Sequence, residues 1–466
     1  MPDALVAALL ASLGDRGVFS DAADRVRYER GWRYGRGAAR CVARPASTAE
    51  VAATLRLCAE HGARVVPQGA NTGLVAGSTP DDGGGMVVMS LERLNQTIEL
   101  DEEDRTVLVD GGVLLSQLNE RLAAQDLWFP VDLGADPQVG GMVATNTGGT
   151  RLLKYGDVRH NLLGVEVVLG DGRVLSQLNR LRKNNTGLDC KQLFVGTTGV
   201  FGVVTKAVLA VAQRPQQTAT ALVGCRDGCA AIGLLRALER GLGDVLSAFE
   251  VIGAGALEAV LRHQPGARIP FDRVPPYAVL VEVATTLRAD AVDLAGSLES
   301  CLAGHVDGAS GEVLDVFMAA AEQLWGLRHG ISESLRKEGP MVAFDVSVAR
   351  SQLPDFTARV RALLSERFRA ARLCDYGHWG DGGSHLNLLW DEREVEDVGA
   401  WKRALQDAVY ELAVVEFGGS FSAEHGVGPH NQRYYDRYTD ELVKQLSRTV
   451  GAFCDPRDQL GRVQLG

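Results

Sequence analysis

Three glycine-rich runs in the first half of the chain constrain its fold more than any other feature. They are PQGANTGLVAGS (67–78), GGMVATNTGG (140–149, preceded by Leu133-Gly134-Ala135) and GTTGVFGVVT (196–205). Because glycine permits positive φ and close backbone approach, successive N–H groups in such runs can converge on a phosphate. The first run does not end in Gly-Lys-Ser/Thr, which excludes a Walker A loop. The GxGxx fragment at 253–257 lacks a third glycine and a preceding strand, which argues against a Rossmann site.

The first two runs are each predicted to follow a β-strand, and together they could hold the two ends of one extended dinucleotide. The third run could add backbone contacts to an adenine. Taken alone, the first run also fits a purely structural role, because glycine commonly marks turns and loops. The combination of runs favours a large cofactor that bears phosphates.

Bulk properties restrict the class of protein. A chain of 466 residues is too long for one hydrophobic core, so two or three domains are expected. The formal net charge of -11 argues against nucleic acid or an anionic membrane as a partner. No window stays apolar long enough to span a bilayer, and the apolar stretch 5–13 lacks the basic flank of a signal peptide. The eight cysteines are scattered, as in proteins with reduced thiols, and we expect a cytoplasmic protein.

Alternating helix and strand patterns predict an α/β or α+β cofactor domain in the first half of the chain. Ser47 and Glu50 form a capping box ahead of a helix that extends to His61. Asp171-Gly172 lies between alternating apolar residues and predicts a β-hairpin within 164–176. Other strands are predicted at 63–67, 86–91, 106–110 and 201–211, and a further helix at 113–125.

A domain boundary is predicted at Arg214-Pro215, where the glycine density falls and longer amphipathic helices begin. Strands near 279–283 and 342–348 alternate with helices, which is consistent with an antiparallel sheet covered on one face. The predicted parts are a helical lead-in, a cofactor domain, a second domain and a C-terminal segment that returns to the cofactor, at 1–35, 36–214, 215–415 and 416–466.

Two histidine motifs in the last hundred residues indicate a metal site: HWGDGGSHLN (378–387) and SAEHGVG (422–428). A strand–turn passage through the intervening glycines could bring His378 and His385 together. Glu424 would make a third ligand and leave a position open, which is typical of a catalytic divalent metal. The alternative is that these histidines only satisfy buried hydrogen bonds. His425 remains available as a general base, because histidine titrates near neutrality.

Several motifs, in order along nearly the whole chain, resemble one family. The first two glycine runs, YGDVRHNLLGVEVVLGDG (155–172), NNTGLDCKQLFVG (184–196) and FGVVTKA (201–207) are similar to the FAD-binding domain of the vanillyl-alcohol-oxidase type. The resemblance is to D-2-hydroxyglutarate dehydrogenase and its D-lactate and glycolate dehydrogenase relatives. It implies an α+β fold in which a two-subdomain FAD-binding (PCMH-type) domain is joined to a substrate cap domain built on an antiparallel sheet.

The resemblance also implies site residues. FAD would contact Pro67, Gln68, Gly69, Ala70, Asn71, Thr72, Gly73, Leu74, Gly77, Ser78, Gly134, Gly140, Gly141, Ala144, Thr145, Gly148, Gly149, Gly156, Gly202 and Val203. Covalently flavinylated relatives carry a histidine in the first run, where this chain has Asn71, so we expect non-covalent FAD. His378, His385 and Glu424 would hold the divalent metal, for which zinc is the leading candidate.

The implied reaction is oxidation of a D-2-hydroxy acid, foremost D-2-hydroxyglutarate, to the 2-oxo acid. The C2 hydrogen would leave as hydride to flavin N5, and the hydroxyl proton would pass to His425, the catalytic base. The substrate would be bound by Arg328, Ser332, Asn387 and His425, the arginine offering a fork that matches a carboxylate. No nicotinamide site is visible, so the electrons would pass to an electron-transfer flavoprotein or a quinone. A homodimer is the default oligomer.

The chain departs from the family pattern where the substrate is held. Ala343 stands where a substrate-binding lysine is usual, and Ser332 where threonine is usual. Leu386-Asn387 and Ser422-Ala423 nevertheless favour the hydroxyglutarate branch. The alternatives are a D-lactate or glycolate dehydrogenase, an oxidase that uses oxygen, a metallohydrolase with structural glycine loops, and a non-catalytic flavin-binding subunit.

Overall fold

In a computed structural model, which describes residues 3–306 and 312–466, the chain divides into two compact units. Unit 1 consists of Met1–Gly148, Gly156–Gln213 and Glu424–Gly466. Unit 2 consists of Gly149–Tyr155 and Arg214–Ala423. The chain therefore passes from unit 2 back into unit 1 at the peptide bond between Ala423 and Glu424.

The strands are β1 (Val18–Phe19), β2 (Ala39–Ala43), β3 (Val65–Gln68), β4 (Met86–Ser90), β5 (Ile98–Asp101), β6 (Thr106–Asp110), β7 (Leu127–Trp128), β8 (Leu162–Val168), β9 (Val174–Gln177), β10 (Val203–Ala210), β11 (Ala212–Gln213), β12 (Gln217–Cys225), β13 (Leu246–Gly253), β14 (Tyr277–Thr285), β15 (Val313–Ala319), β16 (Met341–Ser347), β17 (Ala371–Gly377) and β18 (Gly383–Trp390). The α-helices are α1 (Ala4–Leu13), α2 (Ala22–Arg25), α3 (Thr48–Glu60), α4 (Leu115–Ala123), α5 (Val139–Thr145), α6 (Leu152–Tyr155), α7 (Val158–Asn161), α8 (Gly228–Leu242), α9 (Ala254–His263), α10 (Leu294–Val306), α11 (Ala321–His329), α12 (Ile331–Glu338), α13 (Leu353–Arg367), α14 (Val398–Glu411), α15 (Gln432–Tyr438) and α16 (Glu441–Cys454).

Unit 1 contains two principal sheets among its described residues. One has the order β1-β2-β4-β3, with β4 parallel to both β2 and β3. Every residue of β4 is buried, as expected for a central strand of a parallel sheet. The other sheet has the order β5-β6-β10-β8-β9 and is antiparallel throughout. The two sheets correspond to two subdomains of the cofactor domain.

Two local predictions in unit 1 are confirmed, the capping box only in its Ser47 half. Helix α3 begins after Ser47, whose hydroxyl oxygen accepts the Glu50 amide at 3.2 Å. The Glu50 carboxylate reaches one residue further than a standard capping box, since it accepts the Ala46 amide at 2.8 Å. Strands β8 and β9 form the predicted hairpin, and Gly172 adopts a φ of 83° in its turn. Both features depend on residues that are close in sequence.

The second glycine run corrects a prediction, because its centre is a helix and not a loop after a strand. Gly140, Gly141, Ala144 and Thr145 all lie in α5. A Cβ at Gly140 would be 3.0 Å from the Val204 carbonyl oxygen, so glycine allows this helix to approach the backbone of β10. Glycine content alone suggested a loop, whereas here it serves close packing.

Unit 2 is built on an antiparallel sheet of the order β15-β12-β14-β13-β17-β18-β16 within the described residues. Its central strand β14 is buried along its whole length. One face packs against α9, α11 and α12, whose apolar side chains share a core with strand residues such as Leu280 and Leu389. This confirms the predicted antiparallel sheet domain and the α+β fold class. The expected covering of one face alone is wrong at the centre of the sheet, because side chains on both faces of β14 are buried.

In the part of the chain that the structure describes, no helix is both long enough and apolar enough to cross a bilayer.

Candidate active site

The predicted strand–turn passage around the first histidine motif is present. Strands β17 and β18 pair antiparallel, with His378 directly after β17 and His385 within β18. Gly382 adopts a φ of 98°, and a Cβ there would be 2.5 Å from the Val348 carbonyl oxygen, so this turn requires glycine. The turn brings the rings of His378 and His385 edge to face, with centroids 5.2 Å apart.

Glu250 is a buried charge that sequence analysis did not identify. It lies in β13 and is only 1% exposed. Its Oε1 is 2.6 Å from His378 Nδ1, and its Oε2 accepts Arg328 Nε at 2.6 Å. The available signal was an isolated acidic residue in the apolar segment SAFEVIG (247–253), because a buried carboxylate requires partners.

The ionisation of Glu250 follows from these contacts. Burial by itself raises the pKa of this carboxyl, but the charges and hydrogen bonds of His378 and Arg328 outweigh burial and hold the pKa below its usual value. An ionised carboxylate can only accept hydrogen bonds, so His378 Nδ1 carries the proton of this contact. In the neutral form that a metal ligand requires, His378 then keeps its lone pair on Nε2.

Arg328 has two further constraints. It lies in the last turn of α11, and its guanidinium carbon is 4.6 Å from the centre of the Tyr376 ring. The ring face attracts a cation, and the Glu250 contact fixes the Nε edge of the guanidinium. The predicted carboxylate anchor is therefore part of a buried ion pair. Ser332, four residues further on, lies in α12 and is partly buried.

Asp345 and His385 face each other across β16 and β18, with 3.6 Å between Asp345 Oδ1 and His385 Nδ1. Both belong to a group of residues that could hold a metal ion, together with Glu424 and His425. Glu424 and His425 directly follow Ala423, whose amide donates to the Asp345 carbonyl oxygen at 3.2 Å. Sequence analysis named His385 and Glu424 as ligands but not Asp345. His378, the third predicted ligand, is outside this group.

Asn387 has a structural contact of its own. It is buried in β18, and its amide nitrogen donates to the Cys374 carbonyl oxygen on β17 at 3.4 Å. Its register partner on the other neighbouring strand is Ala343 in β16. The side chain therefore supports the strand pairing beside the histidine cluster.

In unit 1, the first glycine run folds back on itself. Asn71 adopts a φ of 58°, donates through its side chain to the Arg30 carbonyl oxygen at 2.6 Å and accepts the Ser78 hydroxyl at 2.8 Å. The Gln68 amide nitrogen donates to the carbonyl oxygens of Tyr28 and Ser78 at 2.9 and 2.7 Å. These bonds close the loop at the end of β3 and keep its intervening backbone in one conformation.

The glycines predicted to bind FAD separate into two kinds. A Cβ added at Gly73, Gly134 or Gly141 would meet no neighbouring atom within 4 Å, so the backbone there borders open space. Others are packed: a Cβ would be 2.4 Å from a Thr198 methyl at Gly77, 2.8 Å from the His160 ring at Gly156 and 2.4 Å from a Val167 methyl at Gly202. The first kind leaves space beside the backbone, and the second kind packs against neighbouring side chains.

Thr198 connects the glycine runs to the segment that carries His425. It adopts a φ of 55°, an uncommon conformation for a β-branched residue. Its amide donates to the Ala144 carbonyl oxygen of α5 at 2.8 Å, and its hydroxyl donates to the Val427 carbonyl oxygen at 2.8 Å. The backbone two residues beyond His425 is thus held within unit 1.

Comparisons with known proteins agree with this geometry. Residues 39–177 match the family described as FAD binding domain, and residues 214–464 match FAD linked oxidases, C-terminal domain. The chain is 35% identical over 430 residues to the mitochondrial D-2-hydroxyglutarate dehydrogenase of Bos taurus, covering 91% of this chain and 76% of the relative. It is 35% identical over 423 residues to the D-2-hydroxyglutarate dehydrogenase of Xanthomonas citri pv. viticola, covering 89% and 86%. The chain belongs to the FAD-linked oxidase family and is an FAD-dependent oxidoreductase.

Two solved structures share the fold. An alkyldihydroxyacetonephosphate synthase superposes with a TM-score of 0.75 at 17% identity, covering 98% of this chain and 85% of the other. A p-cresol methylhydroxylase superposes with a TM-score of 0.74 at 16% identity, covering 97% and 94%. At these identities the likeness concerns the fold alone, and it confirms the predicted vanillyl-alcohol-oxidase-type architecture.

Proposed function

We propose that the protein is an FAD- and metal-dependent dehydrogenase that oxidises a D-2-hydroxy acid, foremost D-2-hydroxyglutarate, to the 2-oxo acid. Relatives at 35% identity are named for that substrate. The observation that carries the proposal is the buried cluster of unit 2, in which His378 and His385 lie edge to face and Glu250 joins His378 to Arg328. The cluster combines candidate metal ligands with a guanidinium suited to a carboxylate.

The proposed cofactor residues are those that the resemblance implies, which lie within the three glycine runs and at Gly134 and Gly156. The open backbone at Gly73, Gly134 and Gly141 supports this assignment. Asn71 has an amide side chain, which is not a nucleophile, and its side chain is bonded to Arg30 and Ser78. We therefore propose that FAD is held without a covalent bond.

The proposed metal ligands are His378, His385 and Glu424, with Asp345 as a further candidate. Imidazole and carboxylate form the donor set that zinc uses in catalytic sites, which supports zinc as the ion. When bound, FAD supplies a two-electron acceptor and the divalent ion supplies a Lewis acid that lowers the pKa of the substrate hydroxyl.

The remaining steps belong to side chains of this chain. Arg328 binds the substrate carboxylate, and its contacts with Glu250 and Tyr376 support a fixed orientation of the guanidinium. An imidazole nitrogen of His425 accepts the hydroxyl proton as the C2 hydrogen leaves. The bond from Thr198 to the Val427 carbonyl oxygen supports a fixed backbone beside His425. Ser332 and Asn387 complete the proposed substrate set, and the proposed electron acceptor is an electron-transfer flavoprotein or a quinone.

The test is anaerobic mixing of the FAD-loaded enzyme with D- and L-2-hydroxy acids, observed through bleaching of the flavin absorption band. We expect D-2-hydroxyglutarate to bleach the flavin in the enzyme as isolated, and not after a chelator has removed its metal. Restoring Zn²⁺ should restore bleaching. Reduction by none of the acids would refute the dehydrogenase proposal, and full reduction in demetallated enzyme would refute the metal requirement.

A second candidate function is oxidation of a smaller acid such as D-lactate or glycolate. The observation that favours it is Ala343, which faces Asn387 across β16 and β18 and provides no charge for a second substrate carboxylate. The ratio of kcat/KM for D-2-hydroxyglutarate to kcat/KM for D-lactate decides between the two. A ratio below one would favour the smaller acid.

A further inference from the structure

Glu250 is a buried acidic residue of unit 2 that contacts both a proposed metal ligand and the proposed substrate anchor. It is placed in β13 with Val251 and Ile252, which are fully buried, and it is itself 1% exposed. A carboxylate in such surroundings is costly unless both of its oxygens are paired. Its two oxygens are used separately, one towards His378 and one towards Arg328, each at 2.6 Å.

We propose that Glu250 is a positioning residue that sets the spacing between the substrate carboxylate anchor, Arg328, and a metal ligand, His378. This inference rests on the proposed function, which gives those two residues their roles. Glu250 itself touches neither substrate nor metal. It acts by holding both partners through one rigid carboxyl group.

The contact with His378 determines which ring nitrogen can bind an ion. Because His378 Nδ1–H donates a hydrogen bond to the Glu250 carboxylate, the neutral imidazole has its lone pair on Nε2. The edge-to-face contact with His385 also limits the orientation of the His378 ring. A carboxylate behind a metal-bound imidazole fixes the tautomer and raises the basicity of the ligand, and its loss typically weakens metal binding about 10–100-fold.

The contact with Arg328 acts on the substrate side. Glu250 engages Nε, and the Tyr376 ring lies against the guanidinium plane, so the rotation of the side chain is restricted. A planar guanidinium recognises a carboxylate through paired N–H groups, which requires such a fixed plane. One carboxyl group therefore positions two side chains, Arg328 of α11 and His378 at the end of β17.

Glu282 provides a matched control on the neighbouring strand β14. It is 2% exposed, and its carboxylate is bonded to Arg151 at 2.9 Å, to Ser247 at 2.9 Å and to Trp325 at 2.8 Å. It has similar burial and also pairs with an arginine, but its partners are not proposed metal ligands. A role of Glu250 limited to stabilising the sheet predicts that the two carboxylates behave alike.

The experiment is a Zn²⁺ titration of the FAD-loaded, chelator-treated enzyme as wild type, Glu250→Gln, Glu250→Asp and Glu282→Gln. Glutamine accepts through only one of its two terminal atoms, so Glu250→Gln either loses one partner or donates its N–H to His378 Nδ1 and thereby moves the imidazole lone pair away from Nε2. We expect Zn²⁺ affinity about 10–100-fold weaker in Glu250→Gln. Glu250→Asp keeps the charge but is shorter, and its affinity should be intermediate. Glu282→Gln should retain the affinity of the wild type.

A second measurement separates a positioning role from loss of structure. The binding of 2-oxoglutarate, followed by its perturbation of the flavin spectrum, should weaken in Glu250→Gln and not in Glu282→Gln, while both variants retain FAD. If Glu250→Gln does not fold, the comparison is made with Glu250→Asp. Equal Zn²⁺ and 2-oxoglutarate affinities in wild type and both Glu250 variants would overturn this inference alone. A wild type that binds no Zn²⁺ would overturn both the inference and the proposed metal.

Discussion

Gly140 and Gly141 are neighbours in α5, but only Gly140 is closely packed against the backbone of other elements. The Gly140 amide donates to the Gly111 carbonyl oxygen at 2.7 Å. A Cβ on Gly140 would be 3.0 Å from the Val204 carbonyl oxygen and 3.1 Å from that of Gly111, whereas a Cβ on Gly141 would meet nothing within 4 Å. Since both obstacles are backbone atoms of strand termini, they cannot turn away as a side chain could.

We expect Gly140→Ala to lower the free energy of unfolding of the apoprotein by about 1–3 kcal/mol through overpacking. The matched change Gly141→Ala should be neutral or stabilising by up to about 1 kcal/mol, because alanine is the better helix former. Urea unfolding of the two apoprotein variants checks this. Equal destabilisation by both changes would contradict the packing explanation.

The residues that sequence analysis missed share one property, which is that their partners are remote. Glu250 pairs with Arg328 and His378, which are 78 and 128 positions away. Such pairs depend on the order of strands in a sheet, and strand order is not encoded in any local pattern. His378 and His385 were predictable as a pair because one tight turn joins their strands.

At the scale of elements, α3 shows what local sequence can predict. Its start is determined by Ser47 and Glu50, and its buried face by apolar residues at helical spacing, such as Val51, Leu55 and Cys58. In α5 the same reasoning failed, because tertiary packing against β10 required glycine in a helix that glycine by itself disfavours. Local signals therefore predicted a helix such as α3, which is capped by residues adjacent to it in sequence, but not α5, which depends on contacts with a distant strand.

The Ser47 cap gives a prediction for α3. Ser47→Ala removes the acceptor of the Glu50 amide and should cost about 1 kcal/mol of unfolding free energy. Asp21→Ala is the control within the same unit, because Asp21 precedes α2 and its side chain makes no capping hydrogen bond. Its exposed position should limit the effect to within about 0.5 kcal/mol. Chemical denaturation measures both, and an equal effect of the two changes would argue against capping as the cause.

At the scale of the whole molecule, the sequence predicted the α+β class, the antiparallel sheet of unit 2, a boundary at Arg214-Pro215 and a C-terminal segment that returns to the first domain, but it gave no sign that Gly149–Tyr155 belongs to unit 2. Unit 1 is assembled from segments that are far apart in sequence, since Val65 of β3 accepts the Gly461 amide at 2.7 Å and donates to the Gln459 carbonyl oxygen at 2.7 Å. The short segment Gly149–Tyr155 belongs to unit 2, where Arg151 pairs with the buried Glu282. The transfer of Gly149–Tyr155 to unit 2 follows from this long-range pairing and leaves little local signal.

Each unit has its own hydrophobic core, so FAD should stabilise them unequally. The residues proposed to hold FAD lie in unit 1, except for Gly149. A ligand at 100 times its dissociation constant stabilises the state that binds it by about 2.7 kcal/mol. We expect calorimetry of the apoprotein to show one unfolding transition that moves to higher temperature with FAD and another that does not. Tryptophan fluorescence assigns the second transition, because four of the six tryptophans lie in unit 2 (Trp325, Trp379, Trp390 and Trp401).

NADH at the same concentration is the control, and it should move neither transition, since no dinucleotide fingerprint of the Rossmann type is present in the sequence. If FAD shifted all of the unfolding heat together, the two cores would unfold as one cooperative unit and the selective effect would be refuted. If FAD shifted only the transition that the unit 2 tryptophans report, the cofactor would be bound by unit 2. The assignment of FAD to the glycine runs of unit 1 would then be wrong.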